Sequence, residues 1–235
     1  QLTEFQAAGH LAELSDTAGL ENYSSGLLAE GQREGGQYGV PLDANSFNAL
    51  YNKDIFEELD LEIPTTLSEF EAVCETLLEN GITPIATGFS EQWVIRRYSD
   101  IYVDVACVSE DPDWFVDKMN LSSSFSDDQK FKDAISMFMS YKKYWDSDAF
   151  GTKQTDALNE VVSGKAAIVI NRTWTIDGLL AINPDLNIGA FALPTPEDPS
   201  GAVMEMKPGN SFCVYNSEDE DLLPAAKDFF TFMCS

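Results

Sequence analysis

The sequence predicts an α/β fold. Short apolar runs rich in β-branched residues alternate with amphipathic stretches at helical spacing, and the helical stretches carry their own start and stop signals. With 235 residues, of which 44% are hydrophobic and 11% aromatic, the chain can bury a sizeable core and is globular in composition. Strands alternating with helices argue further for a largely parallel sheet.

The stretch from Gly36 to Phe70 reads as a short apolar strand, a polar turn, a second strand and two helices. In the second helix Leu67, Phe70, Val73, Cys74, Leu77 and Leu78 recur at helical spacing. Thr66 followed by Glu69 forms a capping-box signature, and Gly81 supplies the stop. Ile82–Thr87 reads as a buried strand. Ser126 with Gln129 resembles a second capping box, opening a helix that carries Phe131, Ile135, Phe138 and Trp145 on one side. Leu158, Val161 and Val162 mark a short helix ended by Gly164. AAIVI (166–170) is an apolar β-rich run too short for a core helix. Trp174–Ile182 reads as helix, closed before Pro184, and Asn187–Ala192 as a strand. Phe212–Tyr215 is a short strand and Ala225–Met233 a terminal helix.

Lysine plus arginine total 14 and aspartate plus glutamate 40, a net charge of −26. Such a surface repels nucleic acid and anionic membrane, so both are excluded as partners. No segment approaches the ~20 apolar residues of a membrane span, and no charged-then-apolar signal segment opens the chain at Gln1. The cysteines, Cys74, Cys107, Cys213 and Cys234, form no C-x-x-C pair. With His10 as the sole histidine, neither a Cys/His metal site nor a Ser-His-Asp or Cys-His nucleophile is supported. Cys74 and Cys213 are expected as small buried residues. Asp146, Asp148 and Gly151 mimic the start of an EF-hand loop, but Phe150 and Ala157 stand where oxygen ligands are needed, so no metal is expected. No phosphate-binding glycine loop appears, and no cofactor is expected. A glycosidase pair among so many carboxylates cannot be recognised without geometry.

Five segments in one order carry a family resemblance. They are FQAAGHLAELSD (5–16), YGVP with YNKDIFEELDL and PTTLSEF, NGITPIATG (80–88), VVSGKAAIVINRTW (161–174) and IGAFALPTPED (188–198), closed by AAKDFFTFM (225–233). Together the chain resembles the extracellular solute-binding proteins of ABC importers, of the sugar- and oligosaccharide-binding type. The resemblance implies a periplasmic-binding-protein-like two-lobe α/β fold, with the second lobe nearly complete and the first partial. On that reading residues 1–41 and 205–235 belong to lobe 1, 42–193 to lobe 2, and 194–204 form a crossing connector within the proline-rich Pro194–Asn210. A first βαβ region, a leader and further C-terminal helices of the family have no counterpart here, which implies a fragment. Its two end segments are then expected to be rearranged, packed on a neighbouring molecule or poorly supported, since exposed edges and apolar faces invite association with a second copy.

The resemblance also implies a function: capture of an extracellular sugar in the inter-lobe cleft and delivery to a permease, with no bond made or broken. The place implied is outside the cell, in the periplasm or at the cell surface, where the membrane would be touched only through a lipid anchor that this chain lacks. The alternatives are a carbohydrate-active enzyme or its accessory binding module, and a ligand sensor for a signalling receptor.

Candidate contacts follow from residues and resemblance together. Trp93, after the strand Ile82–Thr87, and Trp174, after AAIVINRT, fall just beyond strand ends that face the ligand crevice of open α/β sheets. An indole offers an apolar face and one N–H, which suits a sugar ring; the other reading of both is core packing. The family motif matched at 164–174 ends in a stacking tryptophan, at Trp174. Trp114 and Trp145 sit in or beside amphipathic helices and are expected in the core. Asp43 and Asn45 occupy the turn after YGVP, where the resembling proteins supply a polar side chain; a plain turn role remains open. Arg172 replaces the glycine usual in that motif, and could fork onto a carboxylate or vicinal hydroxyls, or pair with a surface acid. Arg96 and Arg97 raise the same choice. Gly209 and Asn210 lie in KPGNS (207–211), which resembles the loop re-entering lobe 1.

Overall fold

The structure is a computed structural model describing residues 2–108, 111, 113–194 and 206–235. The expected crossing connector (194–204) therefore falls outside the described residues, apart from Pro194. The chain divides into two compact units, Gln1–Asn45 with Met206–Ser235, and Ser46–Glu205.

The 46–205 unit is built on a sheet of order β5-β6-β4-β7, formed by β4 (Ala44–Asn52), β5 (Thr83–Ala86), β6 (Ala166–Arg172) and β7 (Ile188–Phe191). β5 and β6 pair in parallel, with Thr83 opposite Ala166 and Ile85 opposite Ile168. β4 runs antiparallel to both β6 and β7, with Ala49 opposite Ile170 on one side and Phe191 on the other. The sheet is thus mixed, not largely parallel. Every residue of β6 is buried, and an apolar run of this kind is the usual mark of a parallel strand. Here it reflects burial on both faces, which does not depend on strand direction.

Helices supply that burial. α3 (Lys53–Glu58) is capped by Asn52, whose Oδ1 accepts the amides of Asp54 and Ile55. α4 (Leu67–Glu79) opens on the Thr66/Glu69 capping box and buries Phe70, Val73, Cys74 and Leu77. Gly81 follows at φ 74, a left-handed stop that a side chain would strain. α5 (Gln92–Val103) runs into a single π-helical turn at Asp104–Val108. α6 (Trp114–Met119), α7 (Gln129–Ser140), α8 (Gln154–Val162) and α9 (Thr175–Ile182) complete the unit. α7 starts one cap later than the sequence suggests. Asp128, not Ser126, accepts the Phe131 amide, at 3.1 Å.

One core cluster joins Phe47, Phe70, Leu77, Ile85, Tyr98, Ile101, Phe138, Tyr144 and Ile168; a second joins Leu50, Ala86, Val161, Val169 and Leu179. Trp114 and Trp145 are both buried. Trp114 Nε1 donates to Asp128 at 2.7 Å, and Lys118, almost wholly buried, donates to the same carboxylate at 2.8 Å.

The other unit is leaner. α1 (Leu2–Ala7) buries no residue, and α2 (Ser25–Ala29) is capped by Ser24. β1 (Gln32–Arg33) and β2 (Gly36–Gln37) form a hairpin whose turn residues, Glu34 and Gly35, both have positive φ, the geometry of a type I′ turn. β3 (Val40–Pro41) pairs antiparallel with β9 (Ser211–Phe212), after β8 (Met206–Pro208), and Leu11 bridges Tyr215. α10 (Leu222–Cys234) begins three residues earlier than expected, because Pro224 falls in its first turn, where no amide donor is required. The end segments are not poorly supported: Ala12, Leu14, Val40, Val214, Phe230 and Cys234 share a core of their own. Cys213 is exposed rather than buried, and all four cysteines are free.

Candidate functional site

The strand order places two tryptophans on one edge. Because β5 and β6 are adjacent and parallel, their carboxyl ends lie at the same edge of the sheet, and the chain leaving each strand enters a helix there. Trp93 is in the first turn of α5 and Trp174 is the cap residue of α9. Their ring centroids are 5.9 Å apart with planes inclined at 33°. Trp93 is 43% and Trp174 42% exposed, against 6% for Trp114 and 7% for Trp145. Burial therefore sorts the four indoles into two pairs, one inside and one at the surface.

Both exposed rings stand on fixed supports. The segment between β5 and α5 is bonded to the 146–152 loop: the Thr87 amide donates to Asp146 at 3.0 Å, Phe89 N to Ala149 O at 3.1 Å and Ser90 N to Thr152 O at 3.2 Å. Asp146 also accepts from the Asp148 amide and the Thr152 hydroxyl. The acidic loop that mimics an EF-hand is thus an organiser of the Trp93 side. Among the described residues no group of three or more His, Cys, Asp or Glu side chains could hold a metal ion. Gly88 approaches α8 so closely that a Cβ would come within 2.9 Å of Gln154 Cα. On the Trp174 side, Thr173 N donates to Ser46 O at 3.0 Å, and Thr175 and Leu179 are fully buried. The backbone flanking each indole is thus tied to packed neighbours.

Arg172 closes β6 opposite Phe47 and is buried. Arg96 and Arg97 both reach Asp100 on their own helix, at 3.9 and 3.8 Å.

In the other unit the remaining candidates converge. Asn45 is buried and its amide donates to the exposed Asp43 at 3.3 Å. Gly209 N donates to Asp43 O at 2.9 Å, and Leu42 N to Asn210 O at 3.2 Å. A Cβ on Gly209 would overlap the Asp43 carboxylate and crowd the Asn45 amide. The turn after YGVP and the KPGNS loop are therefore one interlocked polar knot. Beside it Gly209 and Asn210 line a hollow of about 660 Å³ with Phe5, His10, Ser211, Cys213 and Tyr215. His10 stands between the Phe5 and Tyr215 rings, 6.5 and 6.3 Å away. Sequence reasoning missed this hollow, since Phe5, His10 and Tyr215 lie at opposite ends of the chain. The bridge of Leu11 to Tyr215, a contact no local pattern encodes, brings them together.

A family model described as bacterial extracellular solute-binding protein matches residues 1–235. The chain belongs to this family. It is 26% identical over 198 residues to a multiple sugar-binding protein of Streptococcus mutans, an alignment covering 81% of this chain and 46% of that one. It is also 26% identical over 162 residues to an uncharacterized ABC transporter extracellular-binding protein of Pyrococcus horikoshii, covering 67% of this chain and 36% of the relative. The chain thus spans less than half the length of these curated relatives. Among solved structures it resembles the solute-binding protein RafE in complex with raffinose, with TM-score 0.82, 22% identity, and 99% of this chain against 60% of that one. It also resembles a chitin oligosaccharide binding protein, with TM-score 0.80, 21% identity, and 100% against 60%. The likeness shows the two-lobe periplasmic-binding fold, present here in part. Family and neighbours are binding proteins. No helix of the described residues is long and apolar enough to cross a membrane.

Proposed function

We propose that this protein captures a sugar or oligosaccharide outside the cell and delivers it to the permease of an ABC importer. The observation that carries the reading is the exposed pair Trp93 and Trp174 on the carboxyl edge of β5 and β6, in a chain of the solute-binding family. Indole faces take the C–H surface of a pyranose, and neighbouring polar groups take its hydroxyls. Relatives named for sugar binding, raffinose and chitin oligosaccharides support the ligand class. The protein acts by holding its ligand rather than transforming it, and works outside the cell, in the periplasm or as a lipoprotein at the cell surface. Trp174 and Trp93 contact the sugar ring. Arg172, Asn45, Asp43, Gly209 and Asn210 are the polar groups proposed to set its orientation.

A thermal-shift screen of neutral sugars, oligosaccharides and uronic acids tests this. A ligand at a hundred times its Kd adds about 2.7 kcal/mol to stability, which raises the midpoint of a domain of this size by roughly 5–10 °C. A raised midpoint with one sugar family is expected; no response to any saccharide contradicts the reading. A preference for uronic acids that is lost in Arg172→Gly assigns Arg172 a selective role, and a strict neutral preference unchanged in that variant removes it.

A further inference from the structure

Resting on the sugar-capture reading, we infer that Asp146 is a positioning residue for ligand binding: its carboxylate fixes the junction between β5 and α5 and so sets where Trp93 presents its ring. Trp93 follows directly on that junction, in the first turn of α5. At 43% exposure its ring takes its place largely from the backbone that carries it. Asp146 grips that backbone through both carboxylate oxygens. Oδ2 accepts the Thr87 amide at 3.0 Å and the Thr87 hydroxyl. Oδ1 accepts the Asp148 amide at 3.2 Å and the Thr152 hydroxyl at 3.1 Å. One oxygen therefore holds the end of β5 and the other holds the loop that follows Trp145. A carboxylate accepts at both oxygens. An asparagine in its place would set its NH2 against a backbone N–H whichever way it turned, that of Thr87 or that of Asp148. The brace also has a tertiary reason. β5 is the end strand of its sheet, so β6 supports it on one side, and on the other Trp145 bridges Ile85. Phe89 then packs edge-on against the Trp145 ring at 4.9 Å. The Phe89 and Ser90 amides go to the backbone of Ala149 and Thr152. Asp146 is the side chain that joins these two strands of chain, and a site held by such a support binds well only while the support is intact.

The test has a spectroscopic arm and a binding arm. Indoles 5.9 Å apart couple their transitions into paired bands of opposite sign in far-ultraviolet circular dichroism, and Trp93→Phe identifies the couplet by removing it. Asp146→Asn should diminish that couplet with the helix signal retained, whereas Asp148→Asn, the same change of charge two residues on, should leave it. Calorimetry then uses whichever of raffinose, maltotriose, xylotriose and chitotriose wild type binds. Asp146→Asn should weaken binding roughly five- to tenfold, and Asp148→Asn should not. In a Trp93→Ala background Asp146→Asn should cost nothing further, because the ring it positions is gone; a role in stability alone would weaken both backgrounds alike. Thr87→Val, which removes one of the four donors and keeps the amide, should give a smaller loss with the same dependence on Trp93, and carries the test if Asp146→Asn does not fold. An unchanged couplet, or a loss of affinity that is the same with and without Trp93, overturns the inference and leaves the sugar-capture reading standing. Absence of wild-type binding to all four saccharides overturns that reading and this inference with it.

Discussion

The two units differ in how much of their apolar surface they bury. In the 46–205 unit, Phe47, Phe70, Leu77, Ile85, Tyr98, Tyr144 and Ile168 are each at most 2% exposed and join one continuous core. In the unit of 1–45 and 206–235 the core comes down to six buried residues. Leu222, Phe229, Phe232 and Tyr215 stand 56, 58, 72 and 64% exposed. The 46–205 unit also leaves apolar side chains open, Met119 and Leu121 at 81 and 88% exposed, yet it gathers a far larger continuous core than the other unit does. The two indoles are mounted on the 46–205 unit, while the Asp43–Asn45–Gly209 knot is held by local hydrogen bonds.

The largest expected effects break this contrast directly. Phe70→Ala empties a fully buried site and should cost about 3–5 kcal/mol in urea unfolding, whereas Phe232→Ala, at an exposed ring, should change stability by under about 0.5 kcal/mol. Equal effects would show that the two units are packed alike. Next comes the Lys118–Asp128 ion pair of the 46–205 unit, whose lysine is buried and whose carboxylate is partly so. Asp128 is held well below the usual carboxylate range, foremost by the Lys118 hydrogen bond, then by the Phe131 amide and the Trp114 indole N–H. Asp128→Asn should cost about 2–3 kcal/mol, because Lys118 keeps its charge without its partner. A carboxylate whose folded pKa is depressed stabilises the fold fully above its unfolded pKa of about 4 and loses that contribution as pH falls further, toward the folded value. Wild type should therefore lose stability below about pH 4 with a steeper slope than Asp128→Asn; matching slopes would refute the assignment. The smallest change concerns the knot. Gly209→Ala should cost about 1–2 kcal/mol by overpacking, and Asp43→Ala in the same chain should recover part of it, since the carboxylate is what the added methyl meets.

What was legible in the sequence follows from how local each feature is. The Thr66–Glu69 box, the stops at Gly81 and Gly164, and the apolar stripe of α4 depend on residues a few positions apart, and all are present. Strand direction is not local. β4 and β6 are both buried on two faces, so neither advertises its antiparallel pairing. Ser126 lost its cap to Asp128 because that carboxylate is also pinned by Lys118 and Trp114, a tertiary preference invisible to spacing. Cys213 sits in an apolar string, but the strand ends at Phe212 and leaves it open. The tryptophans were separable by context: Trp114 opens α6 and Trp145 follows the turn after α7, where it bridges Ile85, while Trp93 and Trp174 follow strand ends. Their mutual contact was not, because it depends on β5 and β6 being neighbours.

The central claim is that the exposed indoles of the 46–205 unit hold the sugar. Calorimetric titration of wild type and Trp174→Ala with the saccharide that gives the largest thermal shift tests it most directly. Binding should weaken by about 1–3 kcal/mol, roughly five- to a hundred-and-fifty-fold, with the unfolding midpoint of the unliganded protein unchanged within about 2 °C, since an exposed ring contributes little to stability. Unchanged affinity in Trp174→Ala would contradict it.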